Sequence, residues 1–171
     1  VIGSGSFGTA LGSLSARCGH NVIMFSNNQT TIKEVNEKHL NLRYIPADVT
    51  LPNNLRATDS IEECLSDTSM IIHAIPVQKS VQFLKDHSSK IPNNIPYVIS
   101  SKGILLEQKK FFSEIWDELF PKERNISHCV LSGPSLAIEI IKQTPTIVTL
   151  ASHNKQVIKL VQQNLHTSSF K

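Results

Sequence analysis

The 171-residue sequence lacks the marks of several large functional classes. Its three cysteines, Cys18, Cys64 and Cys129, are far apart and form no C-x-x-C pair. That spacing indicates neither a structural zinc site nor a disulfide framework, and a reduced, cytoplasmic setting is the simplest expectation. The seven histidines show no ligand spacing, so no metal is expected. No apolar run approaches the twenty residues of a membrane span. The 17 lysines and arginines are scattered rather than clustered with aromatics, so no nucleic-acid footprint is expected. Carboxylates at catalytic spacing are missing too. Ser135 has no neighbouring base with the logic of a triad, which argues against a nucleophilic hydrolase. No signal peptide is visible, but the sequence opens on what reads as the last residues of a strand, so its true start is expected to lie further upstream.

What remains is a chain of one-domain size with 40% hydrophobic and 18% charged residues, enough to bury a real core. Short apolar runs alternate with amphipathic stretches, the pattern of βαβ units on a parallel sheet. Residues 6–18 read as a helix, Val22–Phe25 as a strand and 30–40 as a helix begun by Thr30 or Thr31. Residues 41–57, with Pro46 and Pro52, read as a long irregular connection, a length usually kept for function. Ser60-Ile61-Glu62-Glu63 has the spacing of a capping box and opens a short helix. Then come a strand over 69–75, a helix over 77–88, a strand from Tyr97 to Ser100 and a helix over 107–119. That last helix would pack Phe111, Phe112, Ile115, Trp116 and Leu119 on one face. A strand from Cys129 to Ser132, a helix over 135–142, a strand from Thr146 to Leu150 and a helix over 154–165 complete the reading. His73, inside an apolar run, reads as a hydrogen-bonded strand residue rather than a metal ligand.

Gly3-Ser4-Gly5-Ser6-Phe7-Gly8 sits between an apolar strand end and a helix start, the context in which G-x-G-x-x-G marks a dinucleotide crevice. Gly3 makes the tight turn, Gly5 lets backbone approach a diphosphate, and Gly8 lets helix and strand pack closely. The helix N-terminus offers free N–H groups and partial positive charge to that anion. In a doubly wound sheet, ligands bind beyond the carboxyl ends of the strands. Ser26-Asn27-Asn28, Ile75-Pro76-Val77-Gln78, Ser101-Lys102-Gly103 and Gly133-Pro134-Ser135 all follow strands. About twenty residues past the glycines, an acidic residue would bind the ribose 2′-OH. Asn27 stands there instead; it can bond a ribose hydroxyl, and without a cation the site favours NAD while leaving NADP possible. Lys102, between a buried strand and Gly103, is placed to neutralise a phosphorylated or carbonyl substrate.

These pieces, with Arg43-Tyr44-Ile45-Pro46 and Leu131-Ser132-Gly133-Pro134-Ser135-Leu136-Ala137, closely resemble the N-terminal domain of NAD(P)-dependent sn-glycerol-3-phosphate dehydrogenases. The resemblance covers nearly the whole sequence. It implies an α/β, doubly wound, mainly parallel Rossmann-like domain over 1–171 and reversible reduction of dihydroxyacetone phosphate to sn-glycerol 3-phosphate. By the same resemblance, Gly3, Gly5, Ser6, Phe7, Gly8, Asn27, Tyr44, Pro76, Lys102 and Ala137 bind cofactor, and Lys102, Gly133 and Ser135 bind substrate. Phe7 replaces a commoner tryptophan, and bacterial members often carry arginine at the Asn27 position. The family's general acid/base, a lysine in a Lys-Asn motif, and its phosphate-gripping arginine belong to a following helical domain, so 1–171 alone is expected to catalyse little. The complete protein is expected to be a homodimer. Two alternatives stay open: a related β-hydroxyacid or sugar-acid dehydrogenase, and a non-enzymatic NAD(H)-binding module.

Overall fold

The structure is a computed structural model that describes residues 1–171, the side chain of Lys122 excepted. Helix α1 (Ser6–Arg17) follows the glycine turn and leads through β1 (Val22–Phe25) to α2 (Gln29–Lys38) and β2 (Leu55–Thr58). Next come α3 (Ile61–Leu65), β3 (Ile71–His73), α4 (Val77–His87) and β4 (Tyr97–Ile99). The chain continues with a two-stranded ribbon, β5 (Ile104–Leu105) and β6 (Lys110–Phe111), then α5 (Trp116–Leu119) and β7 (His128–Ser132). It ends with α6 (Ala137–Ile141), β8 (Thr149–Ala151) and α7 (Lys155–Leu165).

Local chemistry sets the starts of these helices. The Asn28 side chain accepts from the Thr31 N–H at 2.9 Å and so begins α2 a residue before the threonines. Ser60 accepts from the Glu63 N–H at 3.1 Å, the cap expected from the sequence. In α7, Val157, Val161 and Leu165 recur four apart and are buried, which holds that helix against the sheet.

Ile2 pairs in parallel with both Phe25 and His73 and so sits between β1 and β3. On its one side lie β1 and then β2; on the other, β3, β4 and β7 run parallel, with β8 antiparallel at the edge. The spatial order β2-β1-Ile2-β3-β4-β7-β8 reverses at Ile2, the topological switch of a doubly wound fold. Helices cover both faces. One core is aliphatic, built from Leu11, Leu14, Met24, Val98, Leu131 and Val161. The other is aromatic, around Tyr97, Phe112, Trp116 and Phe120.

Three sequence expectations are corrected. The connection read as irregular over 41–57 runs into β2, whose Leu55-Arg56-Ala57-Thr58 is too short and mixed to stand out; parallel pairing with β1 makes it a strand. The helix over 107–119 is instead the β5–β6 ribbon, a 3-10 helix (Phe112–Ile115) and α5. Glu107-Gln108-Lys109-Lys110 is polar all round and has no face to bury, so the chain reverses there, with Lys109 at φ 54°. Phe111 is consequently 56% exposed, while Phe112, Ile115 and Trp116 are buried as expected. Thr146 pairs with Phe170 and lies outside β8, which starts at Thr149.

His73 is wholly buried and bonded at both nitrogens, Nδ1 to the Tyr97 hydroxyl at 2.7 Å and Nε2 to the Ser80 hydroxyl at 2.8 Å. Burial lowers its pKa from 6.5 to about 3, so the ring stays neutral. Among the described residues, no helix is long and apolar enough to cross a membrane.

Candidate functional site

The turns beyond the carboxyl ends of the strands converge at the switch point. Gly3 has φ 112°, and a Cβ there would lie 2.8 Å from the Ala74 carbonyl oxygen, so both conformation and space demand glycine. A Cβ on Gly8 would lie 2.1 Å from the Gly3 carbonyl oxygen, which lets α1 start directly on the turn. Gly5 differs: a Cβ there would meet nothing within 4 Å. Its bare backbone therefore forms an open cradle at the N-terminus of α1, where no side chain caps the first-turn N–H groups. A diphosphate fits this arrangement, since the donors, the helix dipole and the missing Cβ all face the same opening.

Hydroxyls join the glycine turn to its neighbours. Ser4 Oγ donates to Ser26 Oγ at 2.7 Å, and Ser26 Oγ also accepts from the Asn28 N–H at 3.2 Å. The end of β1 is thereby fastened to the turn, with Asn27 exposed beside it. Below, Thr9 Oγ1 and the amide of Asn41 both donate to the Ser4 carbonyl, at 3.2 and 3.0 Å. The sequence places Ser4 and Ser26 in strand-end turns without indicating this bond between them, and Asn41 is not among the expected site residues. The one available signal was the unusual length of the connection that Asn41 opens.

Lys102 brings three distant turns together. Its ammonium donates to the Gly133 carbonyl at 3.2 Å and lies 5.3 Å from the centre of the Phe7 ring. That places a cation over an aromatic face at the head of α1. The Lys102 turn is itself held: Ser101 Oγ donates to the Ile75 carbonyl at 2.6 Å and Ser100 Oγ to the His73 carbonyl at 2.7 Å. Gln78 grips the β5–β6 ribbon from α4, donating to the Ile104 carbonyl at 2.7 Å and accepting from the Leu106 N–H at 3.1 Å.

Ser135 is buried with its hydroxyl unpaired, just past Gly133. Ala137 opens α6, a helix that packs on α1 through Arg17, whose guanidinium donates to the Ile140 carbonyl at 2.9 Å. Pro76 stands exposed at the head of α4. Tyr44 is exposed under the Arg43 guanidinium, which sits 5.4 Å from its ring centre, and no hydrogen bond of its side chain ties it to the glycine turn. Chemically, the site combines an anion cradle with a cation a few turns away, while the Ser135 hydroxyl lies beneath the surface.

The family model described as NAD-dependent glycerol-3-phosphate dehydrogenase N-terminus matches residues 1–158. A glycerol-3-phosphate dehydrogenase (NAD(P)+) of Leptospira biflexa is 38% identical, over 95% of this chain and 49% of the relative. The Staphylococcus haemolyticus protein of the same name is 35% identical, over 95% of this chain and 48% of its own. The chain thus spans about half the length of these relatives. The crystal structure of glycerol-3-phosphate dehydrogenase from Coxiella burnetii superposes with a TM-score of 0.88 at 28% identity, covering 99% of this chain and 51% of that one. The Plasmodium falciparum enzyme shares the fold at a TM-score of 0.87 and 21% identity, over 99% of this chain and 50% of its own. A Rossmann-like sheet, a glycine cradle at its switch point and a family match over 1–158 together show that the chain belongs to the NAD-dependent glycerol-3-phosphate dehydrogenase family.

Proposed function

We propose that the complete protein interconverts dihydroxyacetone phosphate and sn-glycerol 3-phosphate with a nicotinamide dinucleotide as hydride carrier. The observation that supports this most is Lys102, whose ammonium lies between the Phe7 ring and the Gly133 carbonyl. In this reading the Gly5 cradle and the first-turn N–H groups of α1, at Ser6, Phe7 and Gly8, hold the diphosphate. Asn27, Tyr44, Pro76 and Ala137 line the rest of the dinucleotide. Bound there, the nicotinamide supplies or accepts the hydride at the carbonyl carbon.

Lys102 steadies the negative charge of the substrate, and the Gly133–Ser135 turn orients it. No residue of 1–171 is assigned the proton transfer. Asn27 presents no cation to a 2′-phosphate, so NADH is the favoured cofactor. The complete protein is proposed to work as a cytoplasmic homodimer.

The test is a substrate panel with the complete protein and NADH: dihydroxyacetone phosphate, a β-keto acid and a sugar-acid precursor. Turnover is expected with the first. Turnover of either of the others, with dihydroxyacetone phosphate inert, would overturn the reading. Parallel fluorescence titrations should show NADH binding more tightly than NADPH.

A further inference from the structure

We infer that Asn41 is a positioning residue for the dinucleotide: from beneath the glycine turn it fixes the Ser4–Gly5 peptide so that the Gly5 N–H faces the crevice. The inference rests on the dinucleotide-binding reading above. Asn41 is 1% exposed and Thr9 is fully buried. The Asn41 Nδ2 group donates to the Ser4 carbonyl at 3.0 Å and to Thr9 Oγ1 at 2.8 Å. Thr9 Oγ1 in turn donates to the same carbonyl at 3.2 Å. Two buried donors therefore hold one carbonyl from the inner side.

The rest follows from peptide geometry. No cis peptide bond occurs among the described residues, so the C=O of Ser4 and the N–H of Gly5 point in opposite directions. With the carbonyl held inward, the N–H must point outward. An added Cβ on Gly5 would touch nothing within 4 Å, so the space beside this residue is open, and its N–H donates to no backbone carbonyl among the described residues. An anion seated there would accept from it.

Two details argue against Asn41 being mere packing. Its Oδ1 is buried without a partner, a cost that a leucine of similar size would avoid. Its own backbone is anchored separately, because the Asn41 carbonyl accepts from the Tyr44 and Ile45 N–H groups at 3.0 and 2.8 Å. The side chain is thus free to serve the glycine turn, and replacing it leaves the local loop bonds in place.

The experiment compares ADP, adenosine and NADH binding to the complete protein and to Asn41→Leu and Thr9→Val variants. Losing the clamp should raise the NADH Kd about tenfold in Asn41→Leu and about threefold in Thr9→Val. The ratio of ADP to adenosine affinity should shrink by the same factors, because only ADP carries a diphosphate. At saturating NADH, kcat should stay within about twofold of the parent. The double variant should weaken NADH by less than the product of the single effects, since both side chains act on one carbonyl. Equal weakening of ADP and adenosine, or an unchanged NADH Kd, overturns the inference. Should Asn41→Leu fail to fold, an unchanged ADP-to-adenosine ratio in the isosteric Thr9→Val overturns it alone. If the parent protein binds neither ADP nor NADH, the dinucleotide reading falls, and this inference with it.

Discussion

The two rims of the sheet are built by the same strands yet present different chemistry. At the amino ends of the strands lies a hollow lined by Val1 and by residues such as Asn21, Asn53, Ser69 and Met70, with charges of both signs in Arg56 and Asp67. The end of α1, with its partial negative charge, comes down on that side. The carboxyl rim carries the bare Gly5 backbone, the N-terminus of α1 and the Lys102 ammonium. An anionic ligand is therefore drawn to the carboxyl rim. The direction of the helices and strands locates this site.

The harshest challenge to that contrast is to strip the carboxyl rim of its cation. Lys102→Ala in the complete enzyme should lower kcat/KM for dihydroxyacetone phosphate by about a hundredfold or more. Its melting temperature should hold, because the side chain is exposed. Activity at the parental level would remove Lys102 from the site.

Two glycine variants sharpen the comparison further. Gly5→Ala puts its methyl in open space at φ −70°, so the protein should melt normally while NADH affinity falls by about tenfold or more. Gly8→Ala drives a methyl against backbone, and should cost about 3 kcal/mol of stability in chemical denaturation. Normal NADH binding by Gly5→Ala would mean that the cradle holds no diphosphate.

Acid provides a subtler probe, since His73 lies in the sheet between the rims. Its folded pKa of about 3 is far below the 6.5 of the free ring, so between those values only the unfolded chain is protonated. Stability from this group is complete above pH 6.5 and is lost as pH falls, by about 1.4 kcal/mol per pH unit. Urea midpoints followed from pH 7 to 4.5 should show that slope, and NMR should show a ring that does not titrate in that range. A ring titrating near 6.5 would contradict the buried Tyr97–His73–Ser80 chain.

The smallest effect belongs to the amino rim. Asn53→Ala and Ser69→Phe alter exposed residues lining the hollow at that rim and should leave NADH affinity and turnover within about twofold. A large loss from either would break the contrast between the rims.

Much of this was legible beforehand because it depends on local rules. The glycine motif, the Ser60 cap and the apolar strands each obey constraints that a few neighbouring residues impose. The Lys102 turn could be read for the same reason, from its place after a buried strand. The ribbon at 104–111 could not be read this way, because Phe111 mimics a helical face that the polar stretch before it cannot complete. β2 was hidden because its stability comes from pairing with β1 rather than from its own hydrophobic pattern.

From residues alone came the doubly wound pattern, the strand ends to search and the glycines that admit an anion, all consequences of backbone sterics and of apolar periodicity. Only the folded chain decided that Lys102 meets Phe7 and Gly133, and that Asn41 reaches back to the Ser4 carbonyl. Those contacts join residues tens of positions apart, so they depend on how the strands are ordered in space, which no short stretch of sequence encodes.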